Sequence, residues 1–440
     1  MKKNMKILSL VLLLVVSSCS DYLDIEPTGL VIPKSVEEYR AFLTAAYSFT
    51  TNHKVLTAYR SDELNLSSAS LGVEQYKDNF IWNDVDRDPN ARSFPYADFY
   101  TTIFYVNHII DQKENITGDS EEVQQLLGEA YALRALQYFE LLNLYAEPYN
   151  QVTASADLGV PVVTIYELDR AYSRESVEKV YTLILDDIAK SKTLLNLEVQ
   201  PTGLNYRFSK QAVSAFATRV YLFQQEWQLA INEADAALAI NNALLDLNID
   251  ESVLASEYDT VESILALEPS SSFDLSYYTS ISSALLNTYN PTEDLRYAQY
   301  FISARGEIRA VKNADDKYKC SFRTSELYLS KAESYAALNQ LSNAVDALRP
   351  LIKARYTPVA AIAYENELLA MSQEILLEEI LNERFRELAI EGHRWNDLRR
   401  TSRKAITKIY DGIQYQLDQN DDRYTIPFPV DATINNPNLN

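Results

Sequence analysis

Near the C-terminal end of the chain, apolar residues recur at the three- and four-residue spacing of an amphipathic helix. This stripe consists of Leu377, Leu381, Phe385 and Leu388. Gly392 follows it and tolerates the left-handed conformation in which many helices end. Trp395 and Leu398, three residues apart, then begin a second stripe. The pattern predicts two helices joined by a turn at Gly392.

Charged residues of alternating sign fill most other positions of this segment. Three pairs of opposite charge stand at the i,i+3 spacing that brings side chains together on a helix. The pairs are Glu383 with Arg386, Glu391 with Arg394, and Arg394 with Asp397. The simplest interpretation is a solvated helical face crossed by salt bridges, with a structural role. His393 has no serine or cysteine partner in a recognisable motif, so we expect no catalytic role for it.

Two further segments have equal length and corresponding residues. Residues 209–242 and 323–356 each span 34 positions and have the pattern of a helix pair. At a constant offset the matches are Tyr221 with Tyr335, Trp227 with Leu341, and Ala230 with Ala344. A small residue at the helix crossing and a bulky one nearby are typical of tetratricopeptide-like repeats. Coincidence among alanine-rich helices is the alternative interpretation.

The remaining pattern is also mainly helical. Ser35 and Glu38 form a capping box at the start of one helix, and residues 247–322 form a weakly periodic insertion between the two repeat pairs. Alternation over residues 261–265 indicates a short strand there. We therefore predict a mostly all-α fold of tetratricopeptide-like helix pairs with irregular loop and strand insertions. Strands are expected only as small pieces within residues 247–319.

Composition narrows the possible ligands. The 440 residues carry a formal charge of −22, which disfavours DNA and other polyanions, so no nucleic-acid partner is expected. Only 9 Gly and 14 Pro occur, which argues against a turn-rich barrel or sandwich. The 31 tyrosines have amphipathic rings that suit helix packing and contact with carbohydrate or peptide.

The N-terminus indicates export and anchoring. Lysines at positions 2, 3 and 6 precede an apolar run over residues 7–16 that is too short to span a bilayer but fits a secretory signal. The run ends in small residues and Cys19, which resembles a bacterial lipobox. A plain signal peptide cut nearby is the alternative. We predict a signal peptide over residues 1–18, an acidic tether from lipidated Cys19 to residue 34, and one body over residues 35–440.

Aromatic residues in non-periodic segments are the candidates for ligand contact. One group lies in a polar, proline-broken loop and consists of Trp82, Asn83, Arg87, Arg92 and Tyr96. The other lies in the insertion and consists of Tyr277, Tyr278 and Tyr289. A flat ring beside hydrogen-bonding groups is what a sugar ring needs for stacking. The alternative for Trp82 is that it packs into the body and anchors its loop.

No residue pattern supports catalysis, a cofactor or a metal site. The carboxylates Asp84, Asp86 and Asp88 imitate the start of a calcium loop, but Pro89 replaces the turn glycine. Three histidines in separate segments make a histidine-rich zinc site improbable. Sixty-two carboxylates leave a glycosidase pair conceivable by residue type, although the sequence nominates no two of them.

Several blocks together resemble the SusD/RagB family of nutrient-binding outer-membrane lipoproteins. The most specific block is the signature over residues 383–400, in which the structural motif consists of Glu391, Gly392, Arg394, Trp395 and Asp397. Leu133-Arg134-Ala135 also match the family's long helix, and residues 207–212 and 325–333 resemble its central blocks.

The resemblance implies a lipoprotein displayed on the cell surface and attached to the outer membrane. It also implies a SusC-like TonB-dependent barrel as partner, and an oligosaccharide or a peptide as ligand. A glycoside hydrolase on a helical scaffold and a lipoprotein that only joins other proteins are the alternatives.

Overall fold

The computed structural model describes residues 33–49, 51–69, 71–165, 170–250, 252–270, 272–304, 306–312 and 319–439. The predicted signal peptide, Cys19 and most of the predicted tether lie outside the described residues. The helices in the first half are α1 (Val36–Ser48), α2 (His53–Arg60), α3 (Glu74–Phe80), α4 (Ala97–Asp111), α5 (Ser120–Tyr145), α6 (Val177–Leu194), α7 (Lys210–Phe223) and α8 (Trp227–Ile240). Those in the second half are α9 (Phe273–Tyr278), α10 (Ser283–Leu286), α11 (Arg296–Tyr300), α12 (Thr324–Ala337), α13 (Leu341–Arg355), α14 (Pro358–Leu369), α15 (Gln373–Glu387), α16 (Arg394–Arg400) and α17 (Val430–Asn435).

The two repeat pairs are present where the sequence predicts them. Helices α7 and α8 form the first pair, α12 and α13 form the second, and α8 packs against α12. Ala230 and Ala344 are fully buried at the two helix crossings. Gln225 and Asn339, which correspond at the same offset, both take left-handed backbone conformations (φ 62° and 58°) in the turn of their pair. The mostly helical, repeat-based fold is therefore confirmed.

The strands form small antiparallel pairs. They are β1 (Leu64–Leu66), β2 (Leu158–Pro161), β3 (Arg174–Ser176), β4 (Ser263–Leu265), β5 (Thr279–Ile281), β6 (Phe301–Ala304), β7 (Glu307–Ala310), β8 (Phe322–Arg323), β9 (Ile406–Tyr410) and β10 (Ile413–Leu417). The pairs are β1 with β5, β2 with β3, β4 with β8, β6 with β7, and β9 with β10.

The prediction that strands lie only within residues 247–319 is wrong. The longest hairpin is β9–β10, and its two-residue turn has left-handed Asp411 and Gly412 (φ 51° and 75°), as tight hairpins favour. Strand β1 also precedes the insertion, yet it pairs with β5 inside it. The pairing of β1 with β5 thus joins the insertion to the N-terminal part of the chain.

Three groups of buried apolar residues form the core. The largest extends from Val36 to Ile426, and the second lies among helices α12 to α15. The third is small and consists of Trp82, Trp395, Leu398, Ile406, Leu417 and Tyr424. This third group attaches the C-terminal hairpin to the loop after α3.

Candidate functional site

The charged residues of the signature are buried, which corrects the expectation of a solvated face. Helix α15 ends at Glu387, and every residue from Glu383 to Trp395 except His393 and Arg394 is fully buried. Of the three i,i+3 pairs, only Glu383 with Arg386 forms, at 2.7 Å. Glu391 and Arg394 pair instead with side chains from distant parts of the chain.

A connected network of buried charges joins the insertion to the second repeat pair. Among the described residues it contains five carboxylates and five cations: Glu262, Asp294, Glu383, Glu387 and Glu391 with Arg296, Lys312, Arg323, Arg355 and Arg386. Glu387 is the centre, because three guanidinium groups lie within 2.9 Å of its carboxylate. Burial opposes ionisation of Glu387, but Arg355, Arg323 and Arg296 hold its pKa well below the usual range.

The other signature residues connect this region to the N-terminal helices. Glu391 accepts two hydrogen bonds from Arg323, both 2.9 Å, and Arg394 donates two to Asp62, at 2.7 and 2.9 Å. Asp397 pairs with Arg384 and Arg400. Trp395 stacks on Tyr424 with ring centroids 4.8 Å apart. The predicted structural roles of these side chains agree with their contacts.

Helix α15 ends at Glu387, five residues before Gly392, so the prediction that Gly392 stops this helix is wrong. Gly392 lies instead in the turn before α16. It is left-handed (φ 79°), and a Cβ atom built on it would lie 2.5 Å from Cβ of Lys54. The absence of a side chain therefore lets the signature turn pack directly on α2.

Glu63 is a buried carboxyl group beside this turn. Burial raises its pKa to about 7, although the backbone N–H of Ile390 and the hydroxyl of Ser61 donate hydrogen bonds to it. A raised pKa in the folded state means that the folded protein binds this proton more tightly than the unfolded chain does.

We expect Glu63→Gln to remove a pH dependence of stability. In the wild type, the contribution of Glu63 is complete below its unfolded pKa near 4.5 and is lost as the pH rises through about 7. The loss amounts to about 3 kcal/mol, because each pKa unit corresponds to about 1.4 kcal/mol. Urea unfolding at pH 5, 6, 7 and 8 should show that the free energy of unfolding of the variant rises relative to that of the wild type as the pH increases. A constant difference across this range would contradict the prediction.

A second buried polar cluster has residue types that can bind a metal ion. His53, Glu140 and Glu268 place one potential ligand atom each within 4.8 Å of one another. However, Lys54 Nζ lies 2.6 Å from Glu268, and Glu140 lies 3.2 Å from Nε2 of His53. The lysine already places a positive charge beside these carboxylates, so the cluster fits a buried ion-pair network better than a divalent cation.

Exposed aromatic rings occur together on the insertion. Phe273 and Tyr277, one turn apart on α9, stack with centroids 5.7 Å apart and are 59% and 44% exposed. Tyr278 lies edge-on to Tyr277 and also contacts Tyr76, which stacks on buried Tyr59. We call Phe273, Tyr277 and Tyr278 the aromatic ledge. Its rings continue into the interior, so the surface is held by the core.

Polar groups border the aromatic ledge. Asp274 accepts a hydrogen bond from the hydroxyl of Tyr76 at 2.7 Å, and Arg309 donates one to the backbone carbonyl of Tyr277 at 2.8 Å. Arg92 donates to the side chain of Gln75 at 2.7 Å, and Gln75 donates to the carbonyl of Gly72. The Cα of Gly72 faces the hydroxyl of Tyr278, which places this polar chain beside the aromatic ledge. The arrangement offers flat apolar faces with donors and acceptors at the edge.

The prediction that Trp82 stacks on ligand is wrong in this structure. Trp82 is 1% exposed, and its indole N–H donates a 2.9 Å hydrogen bond to the carbonyl of Arg60. The Lys408 ammonium lies over its ring at 4.5 Å. The alternative, that Trp82 anchors its loop in the body, agrees with these contacts.

Four other candidate residues do not contribute to the aromatic ledge. They lie elsewhere or form hydrogen bonds within their own loop. Tyr289 is buried and its hydroxyl donates to the carbonyl of Arg386, so it has no face for a ligand. Asn83 donates to Asp78 and to the carbonyl of Asp86, and Arg87 donates to Asn79 and to the carbonyl of Arg92. Tyr96 lines a separate cleft with Tyr100. Only Tyr277, Tyr278 and Arg92 come together.

In the same loop, two of the calcium-like carboxylates accept hydrogen bonds from donors of the protein itself. Asp84 accepts two hydrogen bonds from the buried guanidinium of Arg60, at 2.7 and 2.8 Å. Asp88 accepts from the backbone and side chain of Asn90. These interactions hold the loop through protein donors.

Phe273 and Gln75 were missed as candidates from the sequence. The serines before Phe273 indicate a loop, but Ser272 caps α9 by accepting from the N–H of Leu275. The four-residue spacing of Phe273 and Tyr277 was the available signal, since it places both rings on one helical face. Gln75 carries no such signal, because its place beside Arg92 depends on the folded loop.

Comparison with known proteins agrees with the fold and the signature. A family model described as "Starch-binding associating with outer membrane" matches residues 21–222, and a model described as "SusD family" matches residues 249–438. The chain belongs to the SusD/RagB family. The first match reaches α7 of the first repeat pair, and the second covers nearly all of the insertion, the second repeat pair and the signature. Helix α8 lies between the two matches.

Relatives of this SusD/RagB chain share its whole length. Two SusD-like proteins of Formosa agariphila are each 25% identical to it, and each alignment covers 99% of this chain and 98% of the relative. The crystal structure of a SusD superfamily protein from Bacteroides thetaiotaomicron has a TM-score of 0.78 at 21% identity, covering 92% of this chain and 98% of that one.

A structure named as a laminarin binding SusD-like protein has a TM-score of 0.62 at 19% identity, covering 84% of this chain and 92% of that one. Among the described residues of the present chain, no helix has the length and apolar character needed to cross a membrane.

Proposed function

We propose that this SusD/RagB protein is a binding protein, not an enzyme, that captures oligosaccharides at the cell surface on the aromatic ledge. It is anchored to the outer membrane through lipid on Cys19 and delivers its ligand to a SusC-like TonB-dependent barrel. The observation that carries the proposal is the stacked, exposed pair Phe273 and Tyr277 with Asp274, Gln75 and Arg92 close by.

The chemistry of the aromatic ledge supports a glycan over other ligands. A sugar ring has an apolar face that stacks on an aromatic ring and hydroxyl groups that bond to its rim. The formal charge of −22 disfavours highly anionic polymers at long range. The laminarin binding SusD-like neighbour shares the fold, which supports this ligand class further.

Replacing Tyr277 by alanine tests the proposal. We expect Tyr277→Ala to weaken glycan binding at least tenfold, about 1.4 kcal/mol, because the stacking face is lost. Tyr277 is 44% exposed, so the melting temperature should change little. Affinity electrophoresis against a panel of neutral and acidic polysaccharides, followed by calorimetry with the best ligand, measures the effect.

Tyr277→Phe is the matched control, because it keeps the ring and removes only the hydroxyl. It should bind nearly as well as the wild type. If no polysaccharide binds and a peptide library does so through Tyr277, the ligand class is peptide. Unchanged glycan affinity in Tyr277→Ala would remove the aromatic ledge from the proposal.

The anchor is tested separately in cells. Metabolic labelling with a fatty acid should mark the wild type and leave Cys19→Ser unlabelled. Intact-cell proteolysis should degrade the labelled wild type, since the proposal places it outside the cell. Equal labelling of both proteins would contradict lipidation at Cys19. Membranes solubilised in mild detergent should yield a TonB-dependent barrel with the tagged wild type, and failure to recover one would count against the transport partner.

A further inference from the structure

A second concave surface lies between the end of α1, the turn at residues 203–206 and the segment 252–259. It encloses about 970 Å³, at the upper end of the range for small-ligand sites. Ala266 and Leu267 also line it, and its wall carries three tyrosines. We call this surface, defined by Tyr47, Tyr206 and Tyr258, the tyrosine cleft. It has no residue in common with the aromatic ledge.

Two of the three rings of the tyrosine cleft, those of Tyr47 and Tyr206, are held by contacts within the fold. Tyr206 meets buried Tyr47 edge-to-face, with centroids 5.5 Å apart and planes at 81°. The Arg207 guanidinium lies 5.2 Å from the centre of the Tyr206 ring and donates to its hydroxyl. Tyr258 is 38% exposed, and its backbone carbonyl accepts a hydrogen bond from the side-chain amide of Asn205. A ligand therefore meets the preorganised pair Tyr47 and Tyr206 beside the exposed Tyr258.

Several polar groups around these rings offer acceptors to a ligand. The Nδ2 donor of Asn205 is used by Tyr258 and by Ser263, which leaves Oδ1 as its remaining polar atom. The hydroxyls of Thr44 and Ser48 donate to backbone carbonyls of α1, so their lone pairs remain for a ligand. Asp259 is exposed at the rim, and its carboxylate adds a further acceptor.

The charged groups of the tyrosine cleft determine which ligand charge is favourable there. Glu257 is paired with Lys319 at 2.7 Å, so the other charged groups here are the Asp259 carboxylate beside Tyr258 and the Arg207 guanidinium against Tyr206. At the Tyr258 side of the cleft, the carboxylate of Asp259 favours ligand groups that donate hydrogen bonds and carry no negative charge. Sulfated sugars and uronates would place like charges beside Asp259, which is unfavourable.

We propose that the tyrosine cleft is a second carbohydrate site, specific for uncharged oligosaccharide units that donate their hydroxyl hydrogens to Asn205 and Asp259 while stacking on Tyr258. The ligand class rests on the proposed glycan capture, but the site is independent of the aromatic ledge. The protein would then hold one glycan at two places, or two glycans at once.

A glycan array printed with neutral oligosaccharides and their sulfated and uronate counterparts tests this proposal. The proteins are the wild type, Tyr277→Ala, Tyr258→Ala, Tyr258→Phe and Asp259→Lys. We expect Tyr277→Ala to retain binding to some neutral glycans, and the double variant with Tyr258→Ala to lose at least tenfold of that residual signal. Tyr258→Phe should retain it, because the stacking ring remains.

Asp259→Lys tests the selectivity for charged glycans, which would not change if Asp259 had only a structural role. In the Tyr277→Ala background it should admit sulfated or uronate glycans that the parent rejects. Loss of all glycan binding in Tyr277→Ala alone, or residual binding that is unaffected by Tyr258→Ala, would overturn the second site and leave the aromatic ledge intact. A wild type that binds no printed glycan would overturn both proposals.

Discussion

Replacing Glu387 by alanine should lower the free energy of unfolding by about 3–5 kcal/mol, as expected when one partner is removed from a buried ion pair. Glu387 is inaccessible to solvent and receives Arg296 at 2.9 Å, Arg323 at 2.5 Å and Arg355 at 2.9 Å. Without its carboxylate, three buried guanidinium groups lose a shared counter-ion. Chemical unfolding followed by circular dichroism measures the loss.

The control is Glu365→Ala, which removes a carboxylate from a partly exposed pair with Arg349. Such pairs contribute at most about 1 kcal/mol. Because Glu262 and Asp294 bring the insertion to the same network, hydrogen exchange in Glu387→Ala should rise in these segments first. Equal stability of the two variants would show that the network reorganises without cost.

The second large effect is expected for Gly392→Ala. Its left-handed conformation costs an L-residue about 1–2 kcal/mol, and the new Cβ would lie 2.5 Å from Cβ and 3.1 Å from Cα of Lys54. The backbone of α2 or of the signature turn must therefore move, which adds the roughly 1–3 kcal/mol typical of overpacking. The combined loss should appear as a melting temperature several degrees below that of the wild type.

Gly412→Ala is the matched control for this substitution. Gly412 has nearly the same conformation (φ 75°), but nothing lies within 4 Å of its added Cβ. It should show the cost of the left-handed backbone alone. The difference between the two variants measures the contact with Lys54, and equal melting temperatures would mean that the turn yields freely.

Local periodicity was sufficient to predict the repeat pairs, because the spacing that defines each pair lies within one segment of 34 residues. Tyr221 and Tyr335, or Ala230 and Ala344, keep their spacing whatever the rest of the chain does. The turn residues Gln225 and Asn339 follow the same offset. Helices of this kind are specified by neighbours along the chain, so their positions could be read from the sequence.

The buried charges could not be predicted in this way. The i,i+3 rule pairs Glu391 with Arg394, but in the structure Glu391 bonds to Arg323, 68 residues away, and Arg394 bonds to Asp62, 332 residues away. A sequence that places charges on a helix does not show whether another element covers them. Burial, and with it the energetic importance of the network, depends on the tertiary fold.

The candidate site was predictable only in part for the same reason. Tyr277 and Tyr278 could be selected as aromatic residues outside any long helical stripe, and they do lie together beside the loop that contains Arg92. Trp82 met the same criterion, but it is buried. Its indole N–H donates to the carbonyl of Arg60, and its ring belongs to the small core group that contains Trp395. Polar neighbours along the chain gave no indication of these contacts.

The burial of Trp82 and Trp395 in one small cluster determines what intrinsic fluorescence can report. The chain has three tryptophans, and the third, Trp227, packs against the main core at the start of α8. None belongs to the aromatic ledge or the tyrosine cleft. Tryptophan emission should therefore follow separation of the C-terminal hairpin from the body during unfolding, while saturation with a sugar leaves it almost unchanged and alters mainly the tyrosine signal.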